Sequence, residues 1–487
     1  MQQLPRDHLS QHLHFIDNRG LASIDQQTLD MINPSSGQIS STIARGGAGD
    51  IDRAVRSARA AFEGQWGRFS AIERGRVLRR LADAVLTDQE ALAQLEAEDT
   101  GKPIRQARAD ALALARYFEF YAGAADKLHG ETLPSAAGLT VLTIREPHGV
   151  TGHIIPWNYP MQIFGRSVGA ALATGNACVV KPAELACRSL LRTAELAAAA
   201  GLPPGALNIV TGLGAEAGQA LADHPGIDHI SFTGSTATGS RVAQAAARRH
   251  SPVTLELGGK SPQLVFADAD LEEAVPVIVN AIIQNAGQTC SAGSRVLVER
   301  SIAPVLVERL AAAFDGLRAG PSGDDLDIGP LISARQRALV QHFIDQAQDA
   351  GIATLAQGQI VEHAPQGGFY LAPVLLGEVP DTHPVWQQEI FGPVLALRSF
   401  DDEGEALQLA NGTEYGLVAG LWTRDGARQM RLARRLHCGQ VFINNYGAGG
   451  GIELPFGGVK KSGYGREKGF EALYGFTSLK TIALRHG

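Results

Sequence analysis

The sequence predicts an α/β protein built on two mainly parallel β-sheets. Short apolar, strand-like runs alternate with helical segments from residue 140 onward, and the alternation restarts after Gly258. Alternation at this spacing is typical of β-α-β units, whose strands are parallel. The composition agrees, because only 19% of the residues are charged and 56 of the 487 are glycine, which suits buried strands joined by tight turns.

Before these units, the chain predicts short strands followed by three helices. Turn signals such as Asn33-Pro34-Ser35-Ser36-Gly37 divide the first 45 residues into short segments. Asp50 is expected to cap the first helix, because its carboxylate can accept hydrogen bonds from free backbone N–H groups. A third helix is expected over residues 104–123. The second helix has inward positions that share a helical spacing: Leu78, Leu81, Ala82, Val85 and Leu86.

Two strand–helix units follow, with a boundary expected near residues 257–260. The predicted strands of the first unit are residues 150–155, 177–180, 207–210 and 229–232, and its helices are 186–200 and 215–223. The second unit has predicted strands at 262–266 and 294–298 and helices at 271–285 and 302–317. Because ligands bind at the carboxyl ends of parallel strands, a cleft is expected at this boundary. A terminal strand over 476–484 needs a partner strand, which another subunit could supply.

Composition and charge exclude several classes of function. With 43 basic and 50 acidic residues, a formal charge of −7 and a pI near 6.1, the chain is not expected to bind nucleic acid or an anionic membrane surface. The four cysteines form no C-x-x-C pair and no H-E-x-x-H motif occurs, so no metal site is predicted. No apolar run is long enough to span a membrane, and the N-terminal residues do not resemble a signal peptide. A protein of the reducing cytoplasm is therefore expected.

The segment Gly287-Gln-Thr-Cys290 carries the strongest chemical signal. Cys290 follows an apolar helical stretch and stands among small residues, where a thiolate can meet a substrate. A buried structural thiol is the alternative interpretation of Cys290, and it is the favoured interpretation of Cys178, Cys187 and Cys438.

Two further polar residues stand close to the ends of apolar strands. Glu256 precedes two glycines, and burial would raise the pKa of its carboxyl, which suits a general base. The alternative for Glu256 is a salt bridge with Lys260. Asn158 follows a strand that ends at Ile155, where its amide N–H can stabilise an oxyanion. The alternative for Asn158 is a hydrogen bond within its own turn.

Three glycine-containing segments are candidates for other sites. Phe232-Thr-Gly-Ser-Thr-Ala-Thr-Gly239 opens a helix after a strand and predicts a dinucleotide phosphate site, because backbone N–H groups there can meet an anion. Gly212-Leu-Gly-Ala-Glu-Ala-Gly218 is one residue longer than the usual dinucleotide fingerprint and is weak support. Gly165-Arg-Ser-Val-Gly169 matches the nucleophile elbow of hydrolases, but it lies within residues 161–173, which are predicted to be helical.

Taken in order, the motifs of this chain resemble those of the aldehyde dehydrogenase superfamily over nearly the whole sequence. They are Pro156-Trp-Asn158, Lys181-Pro-Ala-Glu184, Phe232-Thr-Gly-Ser235, Glu256-Leu-Gly-Gly, Gly287-Gln-Thr-Cys290, Glu389-Ile-Phe-Gly-Pro-Val394, and Pro455-Phe-Gly-Gly with Ser462-Gly-Tyr-Gly-Arg-Glu467. The resemblance implies three parts: a Rossmann-like dinucleotide-binding domain (1–124 and 147–257), an α/β catalytic domain (258–440) and a small β oligomerisation element (125–146 and 470–487).

The resemblance also implies roles for individual residues. Cys290 would be the nucleophile and Glu256 the general base, and Asn158 would form the oxyanion site with the backbone N–H of Cys290. Glu467 matches a carboxylate that would help to relay protons. The expected cofactor contacts are Ile155, Pro156, Trp157, Lys181, Glu184, Gly214, Gly218, Phe232, Thr233, Gly234, Ser235, Gly239, Leu257, Gly258, Gln336, Glu389 and Phe391.

The implied reaction is the NAD(P)-dependent oxidation of an aldehyde to its acid, through a thiohemiacetal and a thioester on Cys290. The base Glu256 favours hydrolysis over transfer to coenzyme A. Glu184 favours NAD, since a carboxylate pairs with a ribose 2′-OH, whereas Lys181 leaves NADP open. The implied assembly is a homodimer or homotetramer. The alternative function is a thiol or serine hydrolase without redox chemistry on the same fold.

The substrate pocket is expected to be lined by Tyr159, Gln162, Arg166 and Phe456. Arg166 resembles the arginine that semialdehyde dehydrogenases place near a substrate carboxylate, and the alternative is an ion pair with a carboxylate of the protein. The three glycines within residues 448–454 predict a roomy mouth, which suits an aromatic or long-chain aldehyde. The serine that succinate-semialdehyde relatives use there is absent, and the sequence does not select one substrate.

Overall fold

Two large β-sheets organise the chain, and the computed structural model describes them within residues 9–447 and 451–487. The five central strands of the first sheet are parallel, as the strand–helix alternation predicts. The eight strands of this sheet lie in the order Gly463–Tyr464, Val253–Glu256, His229–Thr233, Val150–Ile155, Ala177–Pro182, Leu207–Ile209, His14–Ile16 and Arg19–Leu21. The predicted α/β fold class is confirmed.

The direction in which strands are added to the first sheet reverses next to Val150–Ile155. The following strands, Ala177–Pro182 and Leu207–Ile209, lie on one side of it, whereas His229–Thr233 and Val253–Glu256 lie on the other. A reversal of this kind leaves a crevice at the carboxyl ends of the two strands that flank it. The residues after Ile155 and after Thr233 therefore open into one crevice.

The second sheet has seven strands and its own hydrophobic core. Only the outer pair, Thr354–Gln357 and Val374–Leu376, is antiparallel. The strands lie in the order Thr354–Gln357, Val374–Leu376, Val394–Phe400, Arg295–Glu299, Pro262–Val265, Val418–Trp422 and Gln440–Ile443. After the last of them the chain returns to the first sheet, where Gly463 pairs with Glu256 and brings the segment that holds Glu467 to the crevice.

Helices cover the faces of both sheets, and the most deeply buried of them is Pro160–Thr174, in which every residue except Gln162 is buried. Gly165 and Gly169 let it approach a neighbouring helix, because a Cβ at either position would lie 2.9 Å from the ring of Tyr117 or Tyr121. The helices are Ala48–Glu63, Ala71–Thr87, Gln89–Thr100, Ile104–Ala124, Pro160–Thr174, Arg188–Ala199, Gln219–Asp223, Thr236–Ala247, Leu271–Ile283, Ala303–Asp315, Ala334–Asp349, Pro384–Gln387, Glu403–Asn411, Gly426–Ala433 and Glu471–Gly475.

Two local predictions are wrong. Asp50 is not the cap of the first helix: Gly47 is the cap, and Asp50 lies three residues inside, where its carboxylate accepts from the Gly47 N–H at 3.1 Å. Leu86 does not point inward, since it is 48% exposed at the last turn of its helix. The predicted helix 215–223 is found, as a π-helical turn over Gly214–Gly218 that continues into the short α-helix Gln219–Asp223.

A third, antiparallel sheet projects from the two large ones. Its strands are Thr477–Arg485, Leu139–Pro147 and Thr132–Leu133, and the terminal strand was expected at 476–484. Leu479 and Leu484 on it are about half exposed, at 56% and 48%. The remaining strands form two small sheets: Gln11–His12, Gln38–Ala44 and Thr28–Asn33, and Arg318–Ala319 with Gln359–Ile360. Within the described ranges, no helix is both long and apolar enough to cross a bilayer.

Candidate active site

Cys290 is presented by a sharp backbone turn that follows the helix Leu271–Ile283. Asn285, Ala286 and Gly287 all have positive φ angles, of 48°, 54° and 74°. A Cβ at Gly287 would lie 2.2 Å from the carbonyl oxygen of Gly392, so only glycine fits there. Left-handed backbone at non-glycine residues costs free energy and is concentrated at functional sites. The turn thus explains why a glycine stands three positions before Cys290.

Two cavities meet at this cysteine. The first, of about 240 Å³, is lined by Cys290 and Asn158 together with all four predicted pocket residues, Tyr159, Gln162, Arg166 and Phe456. The second, of about 330 Å³, is also lined by Cys290 and Asn158, and in addition by Glu256. Cys290 and Asn158 therefore lie at the junction of the two cavities, and Glu256 lines the second cavity beside them. We call them the substrate-side cavity and the cofactor-side cavity.

The side-chain amide of Asn158 donates its hydrogen bond outside its own turn, so the alternative interpretation is not observed. Its amide Nδ2 donates to the backbone oxygen of Gln288 at 3.0 Å, and its own backbone oxygen accepts from Asn285 Nδ2 at 2.8 Å. An amide nitrogen carries two N–H donors, so one is left for the cavities. The backbone N–H of Cys290 has no acceptor among the described residues. These two donors are available for an oxygen atom bound beside the thiol.

Glu256 is buried, and both oxygens of its carboxyl lack a hydrogen-bond partner within the described part of the chain. The alternative salt bridge to Lys260 is not formed there, because the Lys260 Nζ is also without a partner. Burial is the main reason why the pKa of Glu256 is well above its usual value, and the nearby Glu467 raises it further. A Cβ at Gly457 would lie 2.7 Å from Glu256 Oε1, so this glycine leaves room for the carboxyl.

The thiol of Cys290 is neutral in this environment. Burial raises its pKa to about 12, the carboxyls of Glu389 and Glu256 add to the rise, and Arg166 opposes it. Reaction therefore requires a group that removes the proton or a positive charge that stabilises the thiolate. The pKa values of Cys178, Cys187 and Cys438 are also raised by burial, and none of these thiols lines either cavity.

Arg166 forms an ion pair with a carboxylate of the protein, which was the alternative interpretation of this residue. Its Nε contacts Glu467 Oε2, and its Nη2 lies 3.4 Å from Thr233 Oγ1. The second Glu467 oxygen accepts from Ser231 Oγ at 2.8 Å. Arg and Glu here are separated by 301 positions (467 minus 166), so no local pattern could have paired them.

The cofactor-side cavity gathers about half of the predicted cofactor residues. Ser235 caps the helix Thr236–Ala247 and accepts from the Thr238 N–H at 3.3 Å. Across the cavity, Glu389 Oε1 accepts from the Gly259 N–H at 3.0 Å. Burial raises the pKa of Glu389 to about 7. The predicted residues that line this cavity are Pro156, Trp157, Thr233, Gly234, Ser235, Gly258, Gln336, Glu389 and Phe391.

Gln336 and Trp157 hold the loop of Phe391, which has a positive φ of 58°. Gln336 Nε2 donates to the Phe391 carbonyl at 2.9 Å, and the rings of Trp157 and Phe391 meet edge to face with centroids 5.3 Å apart. Gln336 thus stabilises the backbone of the loop that carries Phe391 by a hydrogen bond. The sequence around Gln336 does not indicate this role.

The other predicted cofactor residues lie outside the lining of this cavity. Lys181 Nζ lies 3.1 Å from Glu184 Oε2 at the end of the strand Ala177–Pro182. A Cβ at Gly218 would lie 3.8 Å from Lys181 Cδ, whereas nothing lies within 4 Å of one at Gly214. Gly239, where a Cβ would lie 2.5 Å from Leu257, provides close packing. Ile155, Phe232 and Leu257 are buried in the first core.

The substrate-side cavity also contains residues that the sequence did not single out. Gln106 and Asp110 line it, four positions apart on the helix Ile104–Ala124, so their helical spacing places them on one face. Tyr159 Oη lies 3.0 Å from Thr289 Oγ1. Residues 448–450, which carry most of the predicted glycine-rich mouth, lie outside the described residues, so the roomy mouth stays a prediction.

The elbow-like segment around Ser167 is not a nucleophile site. It lies inside the helix Pro160–Thr174, as predicted, and Ser167 is buried, with its Oγ 3.0 Å from His153 Nδ1. Ser167 lines neither of the two cavities. Its flanking glycines serve helix packing instead.

Comparison with known proteins agrees with this geometry. The model of the aldehyde dehydrogenase family matches residues 22–482. The mitochondrial aldehyde dehydrogenase family 2 member B4 of Arabidopsis thaliana is 42% identical over 471 residues, covering 96% of this chain and 87% of the relative. A crystal structure of a Burkholderia cenocepacia protein is 70% identical, with a TM-score of 0.97 and coverage of 98% of this chain and 100% of that one. An NAD⁺ complex of an aldehyde dehydrogenase from Bacillus cereus is 38% identical, with a TM-score of 0.95 and coverage of 98% and 97%. The chain belongs to the aldehyde dehydrogenase family.

Proposed function

We propose that the protein oxidises an aldehyde to the corresponding carboxylic acid with NAD as hydride acceptor, through a covalent intermediate on Cys290. The observation that supports this best is the meeting of two cavities at Cys290 and Asn158, with Glu256 facing one of them. A substrate bound on one side and a nucleotide bound on the other would both reach the thiol. The NAD⁺ complex of the Bacillus cereus relative supports the choice of cofactor.

The residues of the cofactor-side cavity fit a nicotinamide dinucleotide. Ser235 and Gly234 open a 12-residue helix whose N-terminal backbone N–H groups suit a pyrophosphate. The Glu389 carboxyl has the chemistry to accept hydrogen bonds from ribose hydroxyls. Gly258 keeps that space open, because a Cβ there would lie 2.2 Å from Glu389 Oε2. When bound, oxidised nicotinamide supplies a positive charge and the acceptor for the hydride that leaves the substrate carbon.

Cys290 and Asn158 would carry out the first half of the reaction. The thiol releases its proton to water in the cavity and its Sγ bonds to the aldehyde carbon, which converts the carbonyl oxygen into an oxyanion. The Asn158 amide and the backbone N–H of Cys290 stabilise this oxyanion. One such donor is worth about 3 kcal/mol in a buried site. After the loss of hydride, an acyl thioester remains on Cys290.

Glu256 would carry out the second half. In its ionised form the carboxylate of Glu256, which lacks a protein partner among the described residues, accepts a proton from water, and the hydroxide formed attacks the thioester. The C–S bond breaks, the acid leaves and the thiol regains a proton. The pair Arg166–Glu467 lies close to Glu256. Glu467 would therefore relay the proton that Glu256 takes from water, which is the role that the family resemblance implies.

We also propose a preference for NAD over NADP. Glu184 stands 3.1 Å from Lys181 and would accept a hydrogen bond from a ribose 2′-OH, whereas it would repel a 2′-phosphate. The Lys181 ammonium would offset part of this repulsion, so NADP is expected to be used with lower efficiency rather than rejected.

The three-part domain organisation stays a proposal. We assign residues 1–124 and 147–257, which carry most of the first sheet, to dinucleotide binding, and residues 258–440, which carry most of the second, to catalysis. Residues 125–146 and 470–487, which carry the three-stranded sheet, are assigned to assembly of a homodimer or homotetramer. Exposed leucines on the strand Thr477–Arg485 support the last assignment, because an exposed apolar edge needs a partner. Light scattering on Leu479→Glu, with a smaller particle expected, tests it.

A reducing compartment such as the cytoplasm fits this chemistry. All four cysteines are free thiols, and a nucleophilic Cys290 must remain reduced to act. Cell fractionation checks the location.

The proposed activity is tested by the growth of NADH absorbance at 340 nm when the purified protein is mixed with NAD⁺ and a generic aldehyde. The proposal predicts NADH and acid in equal amounts, and a lower kcat/KM when NADP⁺ replaces NAD⁺. Release of an acid from an ester without any NADH from an aldehyde would instead favour the non-redox hydrolase.

A further inference from the structure

The only guanidinium that lines the substrate-side cavity is already neutralised, as far as the described residues show. The side chains of Arg166 and Glu467 are 8% and 1% exposed, and they form an ion pair. Ser231 Oγ donates to the second oxygen of Glu467, which fixes the carboxylate in place. A substrate carboxylate would have to compete with Glu467 for the same cation, and the displaced protein carboxylate would be left buried without a partner. Such a loss is strongly unfavourable.

The lining of the cavity also carries a carboxylate. Asp110 lines the cavity, pairs with the buried Lys102 ammonium and accepts from Gln162 Nε2. Lys102 itself is not among the lining residues and also binds Glu96 at 2.8 Å. An anionic substrate would therefore meet Asp110 before it met Lys102.

The aromatic residues of the cavity already face cations of the protein. The Lys102 Nζ lies 4.4 Å from the centroid of the Tyr159 ring. The Phe456 ring has the Arg166 guanidinium at 5.0 Å and the Lys468 ammonium at 5.9 Å. Aromatic rings attract cationic ligands through their faces. Here a cation of the protein already lies over each ring. A cationic substrate bound at either ring would therefore be repelled by a like charge.

From these three observations we infer that the substrate-side cavity selects aldehydes whose remaining groups carry no charge. The inference rests on the proposed aldehyde oxidation and names the substrate class of that site. The wall offers hydroxyl and amide groups, on Tyr159, Thr289 and Gln162, that can bind an uncharged polar substituent. The Arg166–Glu467 pair carries no net charge. Burial raises the pKa of Glu96 to about 8, so the Lys102 ammonium is balanced by Asp110 alone, and neither pair leaves a charge to complement that of a substrate.

Two pairs of aldehydes of matched shape test this. The first pair is 4-formylbenzoate and 4-formylbenzamide, and the second is betaine aldehyde, a quaternary ammonium, and its uncharged analogue 3,3-dimethylbutanal. For each pair, kcat/KM is measured from NADH formation with saturating NAD⁺. The kcat/KM of the uncharged member is expected to be at least about tenfold higher than that of the charged member. A tenfold ratio corresponds to about 1.4 kcal/mol. Equal or higher kcat/KM for either charged member would overturn the inference, while NADH formation would still uphold the proposed function. No NADH from any of the four would overturn both.

A variant locates the source of the discrimination. Glu467→Gln removes the carboxylate and leaves the Arg166 cation uncompensated, so the ratio of kcat/KM for 4-formylbenzoate to that for 4-formylbenzamide should rise at least about tenfold. The ratio is informative even if absolute rates fall. Ser231→Ala, the control, removes a hydrogen bond to Glu467 but no charge, and it should leave the ratio unchanged. An unchanged ratio in Glu467→Gln, or an equal rise in both variants, would contradict the role of the ion pair.

Discussion

The two cavities that meet at Cys290 differ in how their polar groups are satisfied. On the substrate side, Arg166 and Asp110 each have a charged protein partner. On the cofactor side, both Glu256 oxygens are buried without a partner in the described chain. A buried polar group without a partner costs about 1–3 kcal/mol. Such a cost is tolerated where water or a reacting group supplies the missing hydrogen bonds. The comparison therefore assigns the paired side chains to the wall of the site and the unpaired Glu256 to its reactive centre.

The largest effect should follow removal of the thiol. Cys290→Ala should lower aldehyde oxidation by at least about 10⁴-fold, because Cys290 is the one nucleophile, among the residues that the structure describes, that lines both cavities. NAD⁺ binding, measured by calorimetry, should survive, since the cofactor-side residues remain. Cys438→Ala is the matched control and should retain activity. Substantial aldehyde oxidation by Cys290→Ala would show that Cys290 is not the reactive centre at which the two cavities meet.

The second effect concerns the unsatisfied carboxyl. Glu256→Gln should slow hydrolysis of the thioester by about 10²–10⁴-fold, while the first NADH still forms. Stopped-flow absorbance should therefore show a burst close to one NADH per active site, followed by slow turnover. Hydroxylamine, an external nucleophile, should restore turnover. Loss of the burst would mean that Glu256 acts before the thioester forms.

Asn158→Ala should remove one oxyanion donor. The expected loss is about 10²-fold in kcat, which corresponds to about 3 kcal/mol. Because the effect belongs to the transition state, the Kd for NAD⁺ should not change. A rise in KM at constant kcat would show that Asn158 contributes only to ground-state binding.

Gly457→Ala should act on Glu256 without touching its charge. A Cβ at Gly457 would lie 2.6 Å from the Gly465 carbonyl oxygen and 2.7 Å from Glu256 Oε1, so the backbone and the carboxyl should both shift, lowering kcat by about 10- to 100-fold. Gly426→Ala is the control, because nothing lies within 4 Å of a Cβ there. Equal activity in both variants would mean that the position of the carboxyl is not critical.

The smallest effect is on stability. Because the pKa of Glu256 is higher in the folded chain than in the unfolded chain, the folded state retains a proton that the unfolded state loses above its ordinary pKa. Stability is therefore reduced as pH rises from that value towards the folded pKa. Glu256→Gln should raise Tm relative to the parent at pH 8 by more than at pH 4. An equal shift at both values would contradict the buried, uncharged carboxyl.

The sequence predicts the reactive centre better than the wall around it. Cys290, Glu256 and Asn158 stand in short motifs next to strand ends and turns, so local patterns already indicate a shared site. The Arg166–Glu467 pair joins distant segments, and only the antiparallel return of Gly463–Tyr464 to the first sheet brings its members together. Sequence motifs carry no information on such pairing.

Two local errors have similar causes. Leu86 continues the apolar spacing of its helix, but spacing cannot show where the neighbouring core ends, and the residue is exposed. Asp50 is an acidic residue in the first turn of its helix, at the third position after the cap. An acidic side chain can accept a hydrogen bond from a backbone N–H of that turn either from the cap position or from this third position. Composition alone does not distinguish the two positions.

The central claim is that an acyl group derived from the aldehyde is held on Cys290 until Glu256 activates water. It is tested most directly by intact-mass and peptide-mapping spectrometry of Glu256→Gln, quenched in acid after mixing with NAD⁺ and an aldehyde. The account predicts one acyl adduct per chain, located on the peptide that contains Cys290 and removed by hydroxylamine. NADH formation with no adduct on that peptide, or with the adduct on another residue, would contradict it.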